Sequence, residues 1–360
     1  MGIYLDAISS STTCKNIIDS AAKPNPVTRL EEIDRDETVQ LSMAGDLIMF
    51  LIERILGSGR VKRIDDRVEE VAYDSQVSRT RGRSSQGREP DAQSEMWTAS
   101  LRSGEPVPAK QIHRCTGSYP IVASLHEKHN PKVKALELDE VLRKSRIPNL
   151  LGLESKDRAP ALTIGVIGNS HSGVLAIRNL YEVAHEHNLD LTVLSFERRP
   201  ILYAEYRDDG IVHDNTGLKG ATADWSKDVM ESDNPGQGKI KRINLGRREE
   251  EELKVYREWL PRCTHLVYAI GYHRSPIPQV RVDWEDVTGK IEFDMHSSGF
   301  KRSEHQREDQ GKGALMVPGL FGCGIGFPEE VEDPAGNVEA AVGVAKFYKF
   351  AERVGPSWVK

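Results

Sequence analysis

The chain has 360 residues, 38% of them hydrophobic and 29% charged, with a formal net charge of −6. That length supports two separate cores, and no stretch reaches the eighteen uninterrupted apolar residues of a membrane span. The slightly acidic balance gives no electrostatic reason to expect nucleic acid or an acidic membrane as partner. The opening MGIYLDAISSSTTCKN lacks the basic-then-apolar order of a secretory signal, so a cytoplasmic protein handling a small molecule is the expectation.

In chain order, TVQLSMAGDLIMFLIERILGSGRVKRI predicts a helix whose apolar residues are too dense for one narrow face, and so a helix buried on most sides. The runs VKRIDDRVEEVAYD and EMWTASLRS predict strands on either side of a Ser/Gly/Arg-rich segment, 78–94, read as a flexible, solvated loop. KQIHRCTGSYP follows. Then LTIGVIG, a helix with apolar spacing at Val174, Ile177, Leu180 and Val183, and LTVLSF form a β-α-β unit that feeds a parallel sheet. The polar stretch 202–220 (LYAEYRDDGIVHDNTGLKG) has two readings of equal weight: Tyr203, Glu205, Asp214, Asn215 and Lys219 line a cleft, or they satisfy one another in a surface excursion. GKIKRINL, RREEEELKVYREWL and CTHLVYAIG predict strand, charged helix and buried strand, which completes an α/β domain over 160–272. Beyond it, DWEDVTGKIEFD predicts a hairpin about Thr288-Gly289, and ALMVPGLFGCGIGF a strand with a glycine turn. DPAGNVEAAVGVAKFYKFAERV predicts a final helix capped by Asp333 with Pro334 at its first position.

The chemistry concentrates at Gly168-Asn169-Ser170-His171-Ser172-Gly173. The first glycine permits a tight turn after the strand, and the last lets helix and strand pack closely. Ser170 stands where a second glycine usually lets a pyrophosphate approach, and the helix that starts there offers free N–H groups to an anion, as in a dinucleotide site. His171 either touches the cofactor or is an ordinary loop histidine. At the end of the next strand, Glu197 suits a free ribose 2′-hydroxyl and NAD, whereas Arg198 and Arg199 suit a 2′-phosphate; two cations beside one carboxylate tilt the expectation toward NADP. Cys14, Cys115, Cys263 and Cys323 are far apart and include no C-x-x-C pair, so neither a zinc site nor a thiol redox couple is expected, and no metal site.

Two further turns answer to each other, HRCTGSYP with Thr116 and Gly117, and YAIGYHRSP with Gly271. With them the chain resembles, over about residues 35–355, the two-dinucleotide-domain flavoproteins, the clan of pyridine nucleotide-disulfide oxidoreductases and flavin-dependent monooxygenases, and within it members without a redox cysteine pair. The resemblance implies an α/β fold in which a Rossmann-like NAD(P)-binding domain, 160–272, is inserted into an FAD-binding α/β domain made of 1–155 and 273–360. It also implies FAD as a second cofactor, with hydride passing from nicotinamide to flavin and then to a substrate or oxygen. Gly324 matches the strand end where relatives of the disulfide-reductase type carry Gly-Asp; here Ile325 follows. The start of the final helix, Asp333 to Asn337, is expected to face the flavin. The FAD part is expected to be incomplete, because no strand-glycine-helix motif precedes position 160, and so to hold flavin poorly. The alternative is a non-catalytic NAD(P)-binding relative that has lost flavin. No catalytic acid or base is assigned.

Overall fold

The computed structural model of the chain describes residues 12–33, 41–75, 97–153, 161–302 and 316–358, and the expected loop at 78–94 lies outside them. Along the chain run α1 (Thr12–Asp19), α2 (Pro26–Glu31), α3 (Leu41–Gly57), β1 (Val68–Tyr73), β2 (Trp97–Leu101), β3 (Pro106–Ala109), β4 (Ile112–Arg114), β5 (Ser118–Pro120) and β6 (Lys134–Leu136). The middle holds β7 (Leu162–Ile167), α4 (His171–Glu186), β8 (Leu191–Glu197), β9 (Glu205–Arg207), β10 (Gly210–Val212), β11 (Ile240–Asn244), α5 (Glu249–Trp259), β12 (His265–Tyr268) and β13 (Tyr272–Arg274). The last part holds β14 (Gln279–Val282), β15 (Glu285–Asp286), β16 (Ile291–Asp294), β17 (Gly299–Arg302), β18 (Met316–Gly322), β19 (Glu330–Glu332), β20 (Val338–Ala340) and α6 (Val344–Trp358).

The chain divides into two compact units, one of Met1–Gly117, Arg274–Val331 and Ala340–Lys360, the other of Ser118–His273 with Glu332–Glu339. The first boundary thus falls at Gly117, earlier than the expected 155–160. Residues 118–153 side with the second unit because β6 adds a parallel strand to that unit's sheet beside β12.

The second unit is built on a five-stranded sheet ordered β11-β8-β7-β12-β6, parallel throughout. Numbered from β7, its first four strands read 3-2-1-4, the order of a Rossmann half, with the chain reversing direction of growth between β7 and β12. Strands covered on both faces need near-continuous apolar sequence, and LTIGVI and LTVLSF supply it: five of six residues in each are buried. On one face Val174, Ile177, Leu180 and Val183 of α4 pack against Ile164, Val166 and Val193, as the helical spacing predicts. On the other, Phe196 and Leu266 pack with Tyr256 of α5 and Leu260.

The first unit is a mixed structure. One sheet is ordered β15-β14-β1-β2-β3, with β1 parallel to β14 and the remaining pairs antiparallel; the other is ordered β16-β17-β18-β4, with β18 parallel to β4. Trp97, Phe300, Phe327 and Leu320 are buried in a common core, and Trp97 satisfies its indole by donating to the Pro318 carbonyl at 3.0 Å. Phe293, Phe300 and Phe327 meet with ring centroids 5.2–5.6 Å apart. A satellite cluster joins α1, α2 and α3 through Cys14, Val27, Leu30, Leu47 and Leu51.

Three expectations are corrected here. Helix α3 is buried on one face alone: Ala44, Leu47 and Leu51 fall on a single helical stripe, while Met49 and Ile52 on the far side are 53% and 41% exposed. The hairpin is not about Thr288-Gly289. Asp283 and Trp284, both at positive φ (49° and 74°), turn β14 into β15, and Thr288–Lys290 is a short 3₁₀ turn that carries the chain to the other sheet. The final helix begins at Val344, not at Asp333. Asp333 to Asn337 instead forms a tight turn between β19 and β20, in which the Asp333 carboxylate accepts from the Ala335 and Asn337 N–H groups at 2.9 Å, an Asx turn that competes with helix initiation. Among the described residues, no helix is long and apolar enough to cross a membrane.

Candidate functional site

The glycine turn of the second unit leaves β7 with Gly168 at φ +106°, its N–H bonded to the Phe196 carbonyl at 3.0 Å. A Cβ on Gly168 would lie 2.2 Å from the Ala269 carbonyl oxygen, and one on Gly173 would lie 2.1 Å from the Gly168 carbonyl oxygen. Both positions therefore exclude any side chain, which is the close strand-helix packing expected of them. Ser170 is the extended N-cap residue of the sixteen-residue α4 and makes no side-chain capping bond. The first-turn N–H groups of α4 thus have no side-chain acceptor at the cap and carry the positive end of the helix dipole. His171 opens the helix with its side chain exposed. The Asn169 amide donates to the Arg199 carbonyl at 2.7 Å, which ties this turn to the loop after β8.

At that loop the three ribose candidates separate. Glu197 is buried and held by Arg242 in a two-pronged pair (2.9 and 2.8 Å), and it also accepts from Ser195 at 2.9 Å. Arg198 is exposed and pairs with Glu252 at 2.8 Å. Arg199 is exposed and makes no ion pair among the described residues. Near Gly271, which has φ +106°, the Gly271 carbonyl accepts from Ile121 at 3.0 Å, and the Tyr272 hydroxyl donates to Asp139 at 2.9 Å; burial, with Asp139 adding, pushes the Tyr272 pKa up to about 12.

The polar groups of 202–220 are satisfied within the second unit, partly by one another and mostly by Glu231, Asp333 and Glu339. Lys219 pairs with Asp214, Asn215 donates to Glu339 through both its backbone N–H (2.8 Å) and its amide (3.1 Å), Thr216 donates to Glu339, and the His213 N–H donates to Asp333 at 2.8 Å. Tyr203 donates to Glu231 at 2.8 Å, and Glu205 pairs with Arg207 at 2.6 Å. His213, Asp333 and Glu339 offer ligand atoms within 4.8 Å of one another. Both carboxylates are already engaged by N–H and O–H donors, so they staple the 202–220 stretch to the 333–339 turn and present no open metal site. Asp333 and Asn337 serve this staple, which occupies them with the unit's own backbone.

The first unit contains a cavity of about 810 Å³, lined by Arg67, Arg102, Gln111, His113, Arg114 and Thr116, with Cys115 between the last two. Arg114 is 3% exposed. One of its nitrogens donates to the Pro278 carbonyl at 3.4 Å; Nε and Nη1 are buried with no partner among the described residues, and the guanidinium carbon sits 5.3 Å from the Phe300 ring centroid. Burial, with the nearby Arg274 charge adding, brings its pKa down to about 10. A buried cation with unmet donors is expensive, and a cavity beside it invites an anion. The Thr116-Gly117 turn borders this wall: Gly117 has φ +74°, and its carbonyl accepts from Ser275 at 3.0 Å. Gly324 has φ +81° with open space around its Cα.

Cys115 and Cys323, 208 residues apart, place their sulfurs 3.1 Å from each other. Two of the cysteines that are far apart in sequence, with no C-x-x-C pair, thus meet in the fold. They follow the parallel neighbours β4 and β18, in which Arg114 is in register with Gly322. Neither Arg114 nor this pair carries a local sequence signal; both follow from pairing strands at opposite ends of the chain.

No family model matches the chain. Among curated proteins it is 32% identical over 352 residues to the monooxygenase AgnR1 of Paecilomyces divaricatus, covering 96% of this chain and 81% of that one. Among solved structures it is similar to DfoA bound to FAD, the cadaverine monooxygenase of the desferrioxamine pathway of Erwinia amylovora, at 14% identity and a TM-score of 0.42, over 77% of this chain and 66% of that one. That structural likeness is loose. The relation to AgnR1 spans nearly the whole sequence and fixes the family: the chain belongs to the monooxygenase family of AgnR1.

Proposed function

We propose that the chain uses FAD and NADPH to oxygenate a small molecule, with the first unit as the FAD part and the second as a Rossmann-like NAD(P) domain inserted into it. The observation that carries the reading is Arg114, a buried guanidinium with two unpartnered nitrogens beside a cavity of about 810 Å³, a volume in the range of cofactor pockets. A diphosphate supplies the negative oxygens those nitrogens lack, and Arg67 adds positive charge to the same wall, where Arg102 is paired with Glu69 at 3.2 Å. When bound, the flavin supplies the redox chemistry and the activation of oxygen, and the nicotinamide supplies hydride.

The protein's own part is to bind and orient. The uncapped N-terminus of α4 receives the second dinucleotide's diphosphate at a turn that Gly168 and Gly173 let pack tightly against the strands. With Glu197 committed to Arg242, the exposed Arg199 is the group left to meet a ribose phosphate, which favours NADPH over NADH. The Asn169-Arg199 bond holds that loop beside the turn.

The test is a titration of the purified chain with added FAD, followed by flavin fluorescence, with Arg114→Met as comparison. The variant is expected to bind FAD about 10- to 100-fold more weakly, the loss typical of charge-assisted hydrogen bonds, while keeping its NADPH affinity. Equal FAD affinities in the two proteins would remove the cavity from the reading.

A further inference from the structure

We propose that Cys115, which lines the cavity of the first unit, and Cys323 are a redox pair that cycles between two thiols and a disulfide. The proposal stands on geometry and is independent of the flavin reading. The two sulfurs are 3.1 Å apart, and a bond between them needs a contraction of only about 1 Å. The residues sit in matching positions just past two hydrogen-bonded parallel strands, and the Cys323 N–H donates to the Arg114 carbonyl at 3.1 Å, so the backbone holds the pair in place. Cys115 is exposed and Cys323 half-buried, whereas the other two cysteines, Cys14 and Cys263, are buried. A reagent from solvent therefore meets Cys115 first.

The electrostatics fit this order of events. The Cys323 thiol donates to the Cys115 sulfur and holds its pKa down to about 7, while the same interaction and burial push the Cys323 thiol up. Cys115 is thus the nucleophile at neutral pH and Cys323 the resolving thiol. Burial pushes Cys263 up to about 12, which leaves it inert.

With a peroxide as oxidant the step balances. The Cys115 thiolate attacks one oxygen of hydrogen peroxide, the O–O bond breaks, and a sulfenic acid and one water form. Cys323 then attacks the sulfenic sulfur, the S–O bond breaks, and a second water leaves with the thiol proton. The net change is two thiols and one peroxide to one disulfide and two waters. A dithiol reverses it by exchange and is itself oxidised to a disulfide. The closed bridge pins the Thr116-Gly117 turn to the Gly324 turn, next to Arg114 on the preceding strand.

The experiment uses the full chain, treated with one equivalent of hydrogen peroxide, alkylated under denaturing conditions and mapped without reduction. A linked peptide pair carrying residues 115 and 323, a mass loss of about 2 Da and reversal by dithiothreitol are expected. In Cys323→Ala the linked pair is absent. The rate of Cys115 alkylation at pH 7 falls roughly tenfold, and its midpoint moves toward the ordinary thiol value of about 8.5. Retention of free thiols at 115 and 323 while other cysteines oxidise, or a bridge joining Cys115 of two copies, would overturn the proposal. So would a Cys115 reactivity profile unchanged by Cys323→Ala.

Discussion

The glycine turn of the second unit and the arginine wall of the first offer donors to an anion by opposite means. At Gly168–Gly173 the donors are backbone N–H groups at the start of a sixteen-residue helix, and two glycines let the turn pack tightly on the strand before it. At Arg114 the donor is one long side chain, desolvated among Phe300 and Pro278 and left with two unmet nitrogens. The first kind of site costs the empty protein little, because a helix end exposed to water is satisfied by water. The second strains the empty protein until something negative arrives, and so couples occupancy to the stability of the unit around it.

The sharpest way to break this contrast is Gly173→Asp. A Cβ there starts 2.1 Å from the Gly168 carbonyl oxygen, so helix and strand must part, and the carboxylate also repels a diphosphate. NADPH binding measured by calorimetry is expected to fall on the order of 100-fold or more, with FAD binding by the first unit unaffected. Unchanged nucleotide affinity would mean that the turn is not the grip. A smaller effect sharpens the coenzyme choice. Arg199→Ala is expected to weaken NADPH by about 1.5–3 kcal/mol and NADH hardly at all. Arg198→Ala, whose guanidinium already serves Glu252, is expected to change both less. Equal losses for the two coenzymes would return the ribose to other partners.

The smallest expected effect concerns the Asp333 staple. Burial raises its pKa, but the N–H donors of His213, Asn337 and Ala335 outweigh burial and hold the carboxyl well below the usual carboxylate range. A group depressed in the folded state lends stability that is full above its unfolded value of about 3.9 and is lost as pH falls through its folded value. The melting temperature of the parent is therefore expected to drop more steeply below about pH 4 than that of Asp333→Asn, which keeps the shape without the charge. Parallel curves for the two proteins would show that the staple holds by packing alone.

The strand-turn-helix around Gly168 to Gly173 was readable because its six turn residues are consecutive and lie between a strand and a helix whose apolar spacings, 162–167 and Val174 to Val183, are unambiguous. Glu197 was read as a cofactor contact because its partner, Arg242, is 45 residues away on a neighbouring strand. Asp333-Pro334 was read as a helix start because an Asx turn and an N-cap ask for the same residue; only the strands on either side decide between them. Arg114 and the Cys115-Cys323 pair were invisible for a plainer reason: what makes them unusual is the meeting of β4 with β18, and nothing in IHRC or FGCG encodes that register.

The placement of strands also sets an order of assembly on the ribosome. Once Tyr268 has emerged, every strand of the parallel sheet is present, and that unit can close while synthesis continues. Strand β1 must wait for β14, whose Gln279 pairs with Glu70, and β4 must wait for β18, whose Leu320 pairs with Ile112. Until then Val71 and Ile112 belong to unpaired edges, open to neighbouring chains. The nascent protein thus carries a finished parallel sheet in its middle and unfinished sheets on either side of it. Premature release after about residue 273 would leave that sheet without its Glu332–Glu339 staple and the first unit a source of aggregates.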